Sequence, residues 1–450
     1  MKTAAVILAA GKGTRMKSKL AKVLHPLLGR SVLWHVLQAV REAGVDEIVV
    51  VVGHDAEQVR AAFADAPLTF VEQTEQLGTG HAVMQAQSVL EGKADQVLVL
   101  YGDMPLWQAG TLQTMVAMQV QNQGPLSMAT IVADDPRGFG RVIRGEDGSV
   151  SAIVEEAQCT PQQLAVNELN VGLYCYDADW LWENLSAIQL SPKGEYYLTD
   201  LPEIAVQNGK QVAALVLEDE SEAIGINTRV HLAEAEAVLR ERVNQALMLS
   251  GVTIIDPQRT YIEPGVQIGQ DTVIHPNTFL RGDTVIGEDC QIGPNSLITD
   301  CRIGNGCVIL ASVLDQAVCE NFVHIGPFGR LRPGAHLADH VDMGNFGEVK
   351  NSYLAEGVKM GHFSYIGDSQ VGSHVNIGCG TVTCNYDGKK KNKTIIGEHT
   401  FIGSGSMLVA PLEIGSHSYT GAGSVVTHDV ADDTVVVGVP ARVLRKGKSE

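Results

Sequence analysis

The chain has 450 residues, about three times the ~150 of a typical single domain, so two or three domains are expected. Its 33 Lys and Arg against 52 Asp and Glu leave a net charge of −19, which argues against a broad nucleic-acid-binding surface or a polybasic membrane anchor. Hydrophobic residues make up 45%, enough for a large core, and no apolar run approaches the ~20 residues of a membrane span.

Residues 1–226 read as α/β. Strand-length apolar runs occur at Ala4–Ala9, Glu47–Val52 and Gln96–Leu100, and between them apolar residues recur every three or four positions at Ser31–Ala43 and Gly80–Leu90. Such alternation predicts a largely parallel, helix-covered sheet, whose ligands sit at the carboxyl ends of the strands. The run Ala4–Ala10 is short and its positive charges follow it, the reverse of a signal peptide. Eight cysteines without a CxxC pair read as reduced core thiols, and a cytosolic protein is expected.

Residues 228–249 contain no Gly or Pro and predict a long connecting helix. Asn227 or Thr228 would cap it, Gly251 would end it, and Val230, Ala233, Ala237, Leu239 and Val243 would form its apolar stripe. The expected segments are therefore 1–227, 228–250 and 251–450.

From about residue 252 an Ile/Val-Gly dipeptide recurs, as at Ile268-Gly269, Ile286-Gly287 and Ile402-Gly403. Ile262, Ile268, Ile274, Leu280, Ile286, Ile292 and Ile298 stand six apart, and the phase returns at Ile396, Ile402, Leu408 and Ile414. A period of six suits neither a helix nor a plain strand. It suits short strands meeting at turns, with one aliphatic per hexapeptide pointing inward. This is the pattern of a parallel β-helix, of about ten coils at ~4.8 Å per coil.

The loop after the first strand, Leu8-Ala9-Ala10-Gly11-Lys12-Gly13-Thr14-Arg15-Met16, can bring backbone N–H groups and a positive charge to a phosphate. Met16 stands where either a dinucleotide fingerprint or a Walker A loop needs Gly, so both of those readings fail. The segment resembles instead the signature of sugar-1-phosphate nucleotidylyltransferases, with its lysine at Lys22 and Ala21 where the family usually has Pro. Gln73 to His81 looks like the family's uracil-binding stretch, and Tyr101-Gly102-Asp103-Met104-Pro105 like its metal-binding aspartate motif.

The resemblance implies a Rossmann-like domain that joins a sugar phosphate to a nucleoside triphosphate, with Arg15 and Lys22 as catalytic cations. A Mg²⁺ would sit on Asp103 and Asn227. UTP and the nucleotide sugar would touch Leu8, Ala9, Ala10, Gly11, Lys22, Gln73, Gly78, Thr79, Tyr101, Gly102, Asp103, Gly140, Glu155, Asn170 and Asn227, with 195–200 also on the sugar. Taken alone, Asp103 reads equally as a helix cap, and Glu155 beside Glu156 as a solvated pair.

A second group of residues breaks the hexapeptide pattern. It includes 328–334, 344–350, 361–368 and 376–378, then the insertion 383–388 followed by Lys389-Lys390-Lys391-Asn392-Lys393. This cluster closely resembles the acetyltransferase half of the bifunctional N-acetylglucosamine-1-phosphate uridylyltransferase/glucosamine-1-phosphate acetyltransferase family. With the first site, the resemblance covers nearly the whole chain. It implies a left-handed β-helix and a homotrimer acting on glucosamine-1-phosphate, acetyl-CoA, N-acetylglucosamine-1-phosphate and UTP, with no nucleic-acid or membrane partner.

His362 would be the base that deprotonates the sugar's 2-amine, and Asn385 would assist at the thioester. Arg332, Lys350, Tyr365 and Asn376 would hold glucosamine-1-phosphate, and Cys379, Asn385, Tyr386, Ser404 and Ala422 would line the acetyl-CoA cleft. Cys379 replaces a usual Ala, and the tail Gly438 to Arg442 looks like other hexapeptide acyltransferases. The lysine run fits either phosphate attraction for coenzyme A or a solvated loop.

Overall fold

The computed structural model describes residues 1–45 and 47–446, and the chain divides into two compact units, Met1–Leu239 and Arg240–Glu450. The last residues of the expected third segment, 447–450, lie outside the described residues. Among the described residues no helix is long and apolar enough to cross a membrane.

In the first unit the strands run in the order Val212–Val216, Leu126–Val132, Glu168–Asp177, Gln96–Tyr101, Thr3–Ala9, Glu47–Val52 and Thr69–Glu72. Thr3–Ala9 pairs in parallel with both Glu47–Val52 and Gln96–Tyr101, while Glu168–Asp177 is antiparallel to its two neighbours. The central strands are apolar on both faces because helices cover both. One such helix, Val32–Glu42, starts where the Ser31 hydroxyl accepts from Trp34 N at 3.3 Å. Met16, which stood in the way of the phosphate-loop fingerprints, is buried against Leu27, Val32, Leu106, Ile224 and Ile226.

The helix Arg229–Leu249 forms as expected, and Thr228 caps it by accepting from His231 N at 3.2 Å. Its buried face differs from the expected one. Val230, Ala233 and Ala237 are exposed; Leu232, Ala235, Val238 and Leu239 pack in the first unit, and Val243 and Leu247 pack on the core of the second. Ala and Leu are spread so evenly along this helix that several faces are apolar enough to pack, and the available neighbours decide. Asn244 is buried here and donates to the carbonyls of Pro257 (2.8 Å) and Thr260 (3.1 Å).

The second unit is a left-handed β-helix of parallel rungs. Ile262 pairs with Leu280 and Ile274 with Ile292, so one coil takes 18 residues, three hexapeptides. Later coils are shorter: Ile286 pairs with Ile303 and Leu297 with Val313. A residue or two dropped at a corner shifts the sequence phase while the stack is kept, which is why the period of six disappears after Ile298. The largest departure is opposite in sign, since Val371 pairs with Ile396 across an insertion at 385–393. Buried Thr and Cys side chains line one inner corner. Cys290 N donates to Thr272 Oγ1 at 3.0 Å, and the Cys290 thiol donates to the Gly304 carbonyl at 3.1 Å.

The cysteines are all free, and Cys175, Cys290, Cys301, Cys307 and Cys319 are core thiols as expected. Cys379 is not: it is exposed at an outer corner, and Cys159 and Cys384 are half-buried. The tail forms an antiparallel hairpin, Thr434–Gly438 with Ala441–Lys446.

The stacked aliphatics carry the second unit's stability. Ile292 is fully buried between Ile274 and Ile309. Ile292→Ala should cost about 2–5 kcal/mol, whereas Gln291→Ala, on the exposed face beside it, should cost less than about 0.5 kcal/mol. Urea midpoints for the two variants check this, and equal shifts would contradict the inward assignment.

Candidate active sites

The first site is built where parallel strands end. Gly11, Gln73 and Gly102 each lie just past the carboxyl end of a strand, and Gly102 N donates to Leu8 O at 2.9 Å. Leu8, Ala9, Ala10, Gly11, Lys22, Gln73, Gly78, Thr79, Tyr101 and Asp103 line one cavity of about 260 Å³. Gly13 has φ +58°, and a Cβ there would sit 2.8 Å from Lys22 Cβ, so the loop's second glycine is what lets it close over the lysine.

Lys22 is the centre of the polar constellation. Its ammonium pairs with Asp103 and lies 3.2 Å from Asn227 Oδ1, which also accepts from Arg15 Nη2 at 2.9 Å. Ile226 N donates to Asp103 O at 2.8 Å, which holds Asn227 beside the aspartate. Two oxygens therefore already face one cation. Among the described residues no three His, Cys, Asp or Glu side chains cluster as a self-contained metal site. A carboxylate and an amide oxygen fit a Mg²⁺ that takes its other ligands from phosphates and water.

Glu155 lines a second cavity of about 770 Å³, and Glu195 and Tyr197 line both cavities. Thr199 Oγ1 donates to Glu155 at 2.8 Å, so Glu155 is a fixed group. Asn170 is buried, with its amide bonded to Tyr174 Oη (2.7 Å) and its backbone N–H to Gly140 O (2.9 Å). Gly140 and Asn170 thus meet each other, and neither is among the residues that line the two cavities.

Sequence reasoning missed Gly172. It sits at a bulge in its strand with φ +75°, and a Cβ there would lie 1.9 Å from the Tyr101 ring. Tyr101 keeps its proton, because burial and then the charges of Glu155 and Asp103 push its phenol upward.

In the second unit His362 pairs in register with Asn345, and its Nδ1 lies 3.1 Å from Asn345 Oδ1. An amide oxygen only accepts, so this contact puts the proton on Nδ1 and leaves Nε2 as the free base. The signal for Asn345 was its place one coil before the histidine, visible only once coil length is known. Gly380 N donates to Phe363 O at 2.6 Å, Gly405 N to Cys379 O at 2.6 Å and Gly423 N to Ser404 O at 2.7 Å. These bonds stack Asn345, His362, Cys379, Ser404 and Ala422 along one corner of successive coils.

A second group gathers around the insertion. Asn385 is buried and donates to Asp368 Oδ2 at 2.5 Å, and its Nδ2 lies 3.4 Å from Tyr365 Oη. Asp387 accepts from the backbone of Lys389 and Lys390, both at 2.8 Å, and from the Asn392 side chain at 2.9 Å. Those donors hold its carboxyl at about 2 and fold the lysine run into a turn. Lys391 then comes to rest beside Lys350, whose ammonium is lowered by it and, less strongly, by Arg332. Arg332 is itself bonded to Glu348 at 2.9 Å. The run therefore joins the basic group at Lys350 and Arg332. Asn376, in contrast, pairs with Lys359 and Phe401, and Tyr386 is exposed with its hydroxyl on Gly388 O at 2.8 Å.

Asp200 makes the first unit pH-sensitive. Burial, then Glu203 and Glu155, raise its carboxyl to about 6, against about 3.9 in an unfolded chain. Between these values the fold binds a proton that the unfolded chain does not, so this group's contribution falls as pH rises and its penalty is complete above about 6. Asp200→Asn should stabilise the first unit at pH 7.5, with a gain that shrinks toward pH 4. Denaturation midpoints across that range test it, and a gain independent of pH would contradict it.

Comparison with known proteins agrees with this division. The family model described as a MobA-like NTP transferase domain matches residues 5–158, and that of the bacterial transferase hexapeptide repeats matches 283–314 and 393–428. The stretch between those repeats holds the residues that break the pattern. The chain is 46% identical over 447 residues to the bifunctional protein GlmU of Pelobacter propionicus, covering 99% of this chain and 97% of the relative. It is 47% identical to the bifunctional protein GlmU of a Geobacillus species, covering 97% and 95%, and 45% identical to that of Enterococcus faecalis, covering 98% and 97%. With a nucleotidyltransferase unit followed by a hexapeptide β-helix, the chain belongs to the GlmU family of bifunctional uridylyltransferase/acetyltransferase enzymes.

Proposed function

We propose that residues 1–227 carry uridylyl transfer, 228–250 link the two parts, and 251–450 carry acetyl transfer in a cytoplasmic homotrimer. The enzyme acetylates the 2-amine of glucosamine-1-phosphate and then couples N-acetylglucosamine-1-phosphate to UTP, releasing pyrophosphate. The observation that carries this reading is His362 with its Nδ1 on Asn345, a base set among the residues that interrupt the repeat. A nucleotidyltransferase whose β-helix served only for assembly would have no need of it. The trimer is supported by exposed apolar rings on the β-helix: Phe328 stacks on Phe346 at 5.2 Å and Phe363 is 66% exposed, a surface suited to burial by further copies of the chain.

In acetyl transfer, His362 Nε2 takes a proton from the sugar ammonium or from the attacking amine, and the nitrogen adds to the thioester carbonyl. The carbon–sulfur bond then breaks, and coenzyme A leaves as a thiolate that is protonated. Lys350, Lys391 and Arg332 receive the sugar phosphate, and Tyr365, Asn376 and Asn385 fix the sugar and the reacting carbonyl. Cys379, Ser404 and Ala422 continue the histidine's corner as a rail for acetyl-CoA, and Tyr386, exposed on the insertion, would add a further contact to it. In uridylyl transfer, a phosphate oxygen of the sugar attacks the α-phosphorus of UTP. Arg15 and Lys22 neutralise the triphosphate, and the Gly11 loop presents backbone donors. A Mg²⁺ on Asp103 and Asn227 would add positive charge at the phosphates.

The two activities should separate by mutation. His362→Ala should lower acetyl transfer roughly 100-fold or more and leave uridylyl transfer unchanged, and Asp103→Ala should do the reverse. Assays of thiol and pyrophosphate release on both variants decide it; joint loss in either well-folded variant would refute separate sites.

A further inference from the structure

Behind the first cavity, bonded to a residue that lines it, stands a histidine that the reaction above does not use. Gln73 follows the strand Thr69–Glu72, is 4% exposed and lines the cavity. Its side-chain Nε2 donates to Gly78 O at 2.9 Å and lies 3.1 Å from His81 Nδ1. A carbonyl accepts and never donates, so the end of the amide facing Gly78 is the NH₂. Its second hydrogen meets His81 Nδ1, which must then accept. Among the described residues nothing donates to Gln73 Oε1, which is left as the end available to a ligand.

His81 is placed for this by the helix Thr79–Leu90, whose first turn starts at the Gly78 loop and is tied down by the bond from Gly80 N to Tyr196 O at 2.8 Å. Gln85, one turn later, also presents its Nε2 to the ring, 3.2 Å from His81 Nε2, while donating to His81 O at 2.9 Å. A neutral imidazole accepts at one nitrogen only. Gln85 is partly exposed and has water as an alternative, whereas Gln73 is buried, so the tautomer is set by Gln73.

We infer that His81 is a positioning residue for base selection: by accepting from Gln73 it holds Gln73 Oε1 toward the cavity as an acceptor. The inference rests on this cavity being the UTP site and specifies how that site chooses its base. Uracil offers N3–H as a donor, which an oxygen accepts. Cytosine offers a lone pair at N3, which the same oxygen repels. A flipped Gln73 would reverse the preference, and it would also set its oxygen against the Gly78 carbonyl and the His81 lone pair. Removing the histidine removes one of those two penalties.

The test measures kcat/KM for UTP and for CTP by pyrophosphate release in the full-length enzyme, with N-acetylglucosamine-1-phosphate as acceptor. His81→Leu should lower the UTP preference about tenfold, mainly through KM. His81→Asn, whose amide oxygen can stand in for Nδ1, should keep most of it. A wild-type ratio in H81L, or an equal loss in H81L and H81N, overturns the inference. If H81L does not reach the wild-type thermal midpoint, His81→Ala is measured in its place under the same criteria. Failure of the underlying reading looks different: the wild-type enzyme itself would not turn over UTP or would not prefer it to CTP.

Discussion

Parallel strand pairing is the constraint on which both units depend. Two parallel neighbours must start at the same end, so the chain has to travel back between them, and every outgoing turn emerges on the same side. In the first unit that rule collects the segments after Ala9, Glu72 and Tyr101 at one edge of the sheet, where Gly11, Gln73 and Asp103 line one cavity. In the second unit the return path is the coil itself, and the rule becomes a stack. A residue at a given corner has its counterparts 16 to 18 positions away, as Leu297 with Val313 and Ile262 with Leu280 show, or 25 away across the insertion, as Val371 with Ile396 shows.

The same constraint explains how a repetitive core hosts chemistry. Inward positions are filled mostly by Ile, Leu and Val, with small Thr and Cys side chains at an inner corner, so the polar groups free to meet a ligand occupy outer corners and faces, where a substitution leaves the ladder intact. Asn345, His362, Cys379, Ser404 and Ala422 are such a corner column. The insertion at 385–393 adds what a corner alone lacks. Asp387 folds it tightly, and the fold brings Lys391 to Lys350. Charge does not follow the overall balance here. A chain of net charge −19 gathers its cations locally, at Lys22 and Arg15 in one unit and at Lys350, Lys391 and Arg332 in the other.

Much of the architecture was legible in the sequence because its causes are local. The hexapeptide phase from Ile262 to Ile298 reflects one inward side chain per short strand, and all of these but the half-buried Ile268 are buried. The loop, uracil and aspartate motifs were legible because each is a contiguous strand-to-turn segment, and ten of their residues line one cavity. What escaped depends on partners distant in sequence. The packed face of Arg229–Leu249 was misjudged because many of its positions are apolar, and the exposure of Cys379 follows from its corner position. Asn345, Lys391, Gly172 and His81 stand out only through a register, a folded loop, a ring above a glycine and an amide's two hydrogens. For the lysine run the sequence left two readings open, and the structure places Lys391 beside Lys350.

The central claim is that the residues interrupting the repeat perform acetyl transfer and supply the first unit with its acceptor. The most direct measurement is thiol release from acetyl-CoA by the full-length protein, with and without glucosamine-1-phosphate, followed by addition of UTP and Mg²⁺. The account predicts thiol only when the sugar phosphate is present, and pyrophosphate only after UTP is added to that mixture. No sugar-dependent thiol from the folded protein would contradict it and reduce the β-helix to a scaffold.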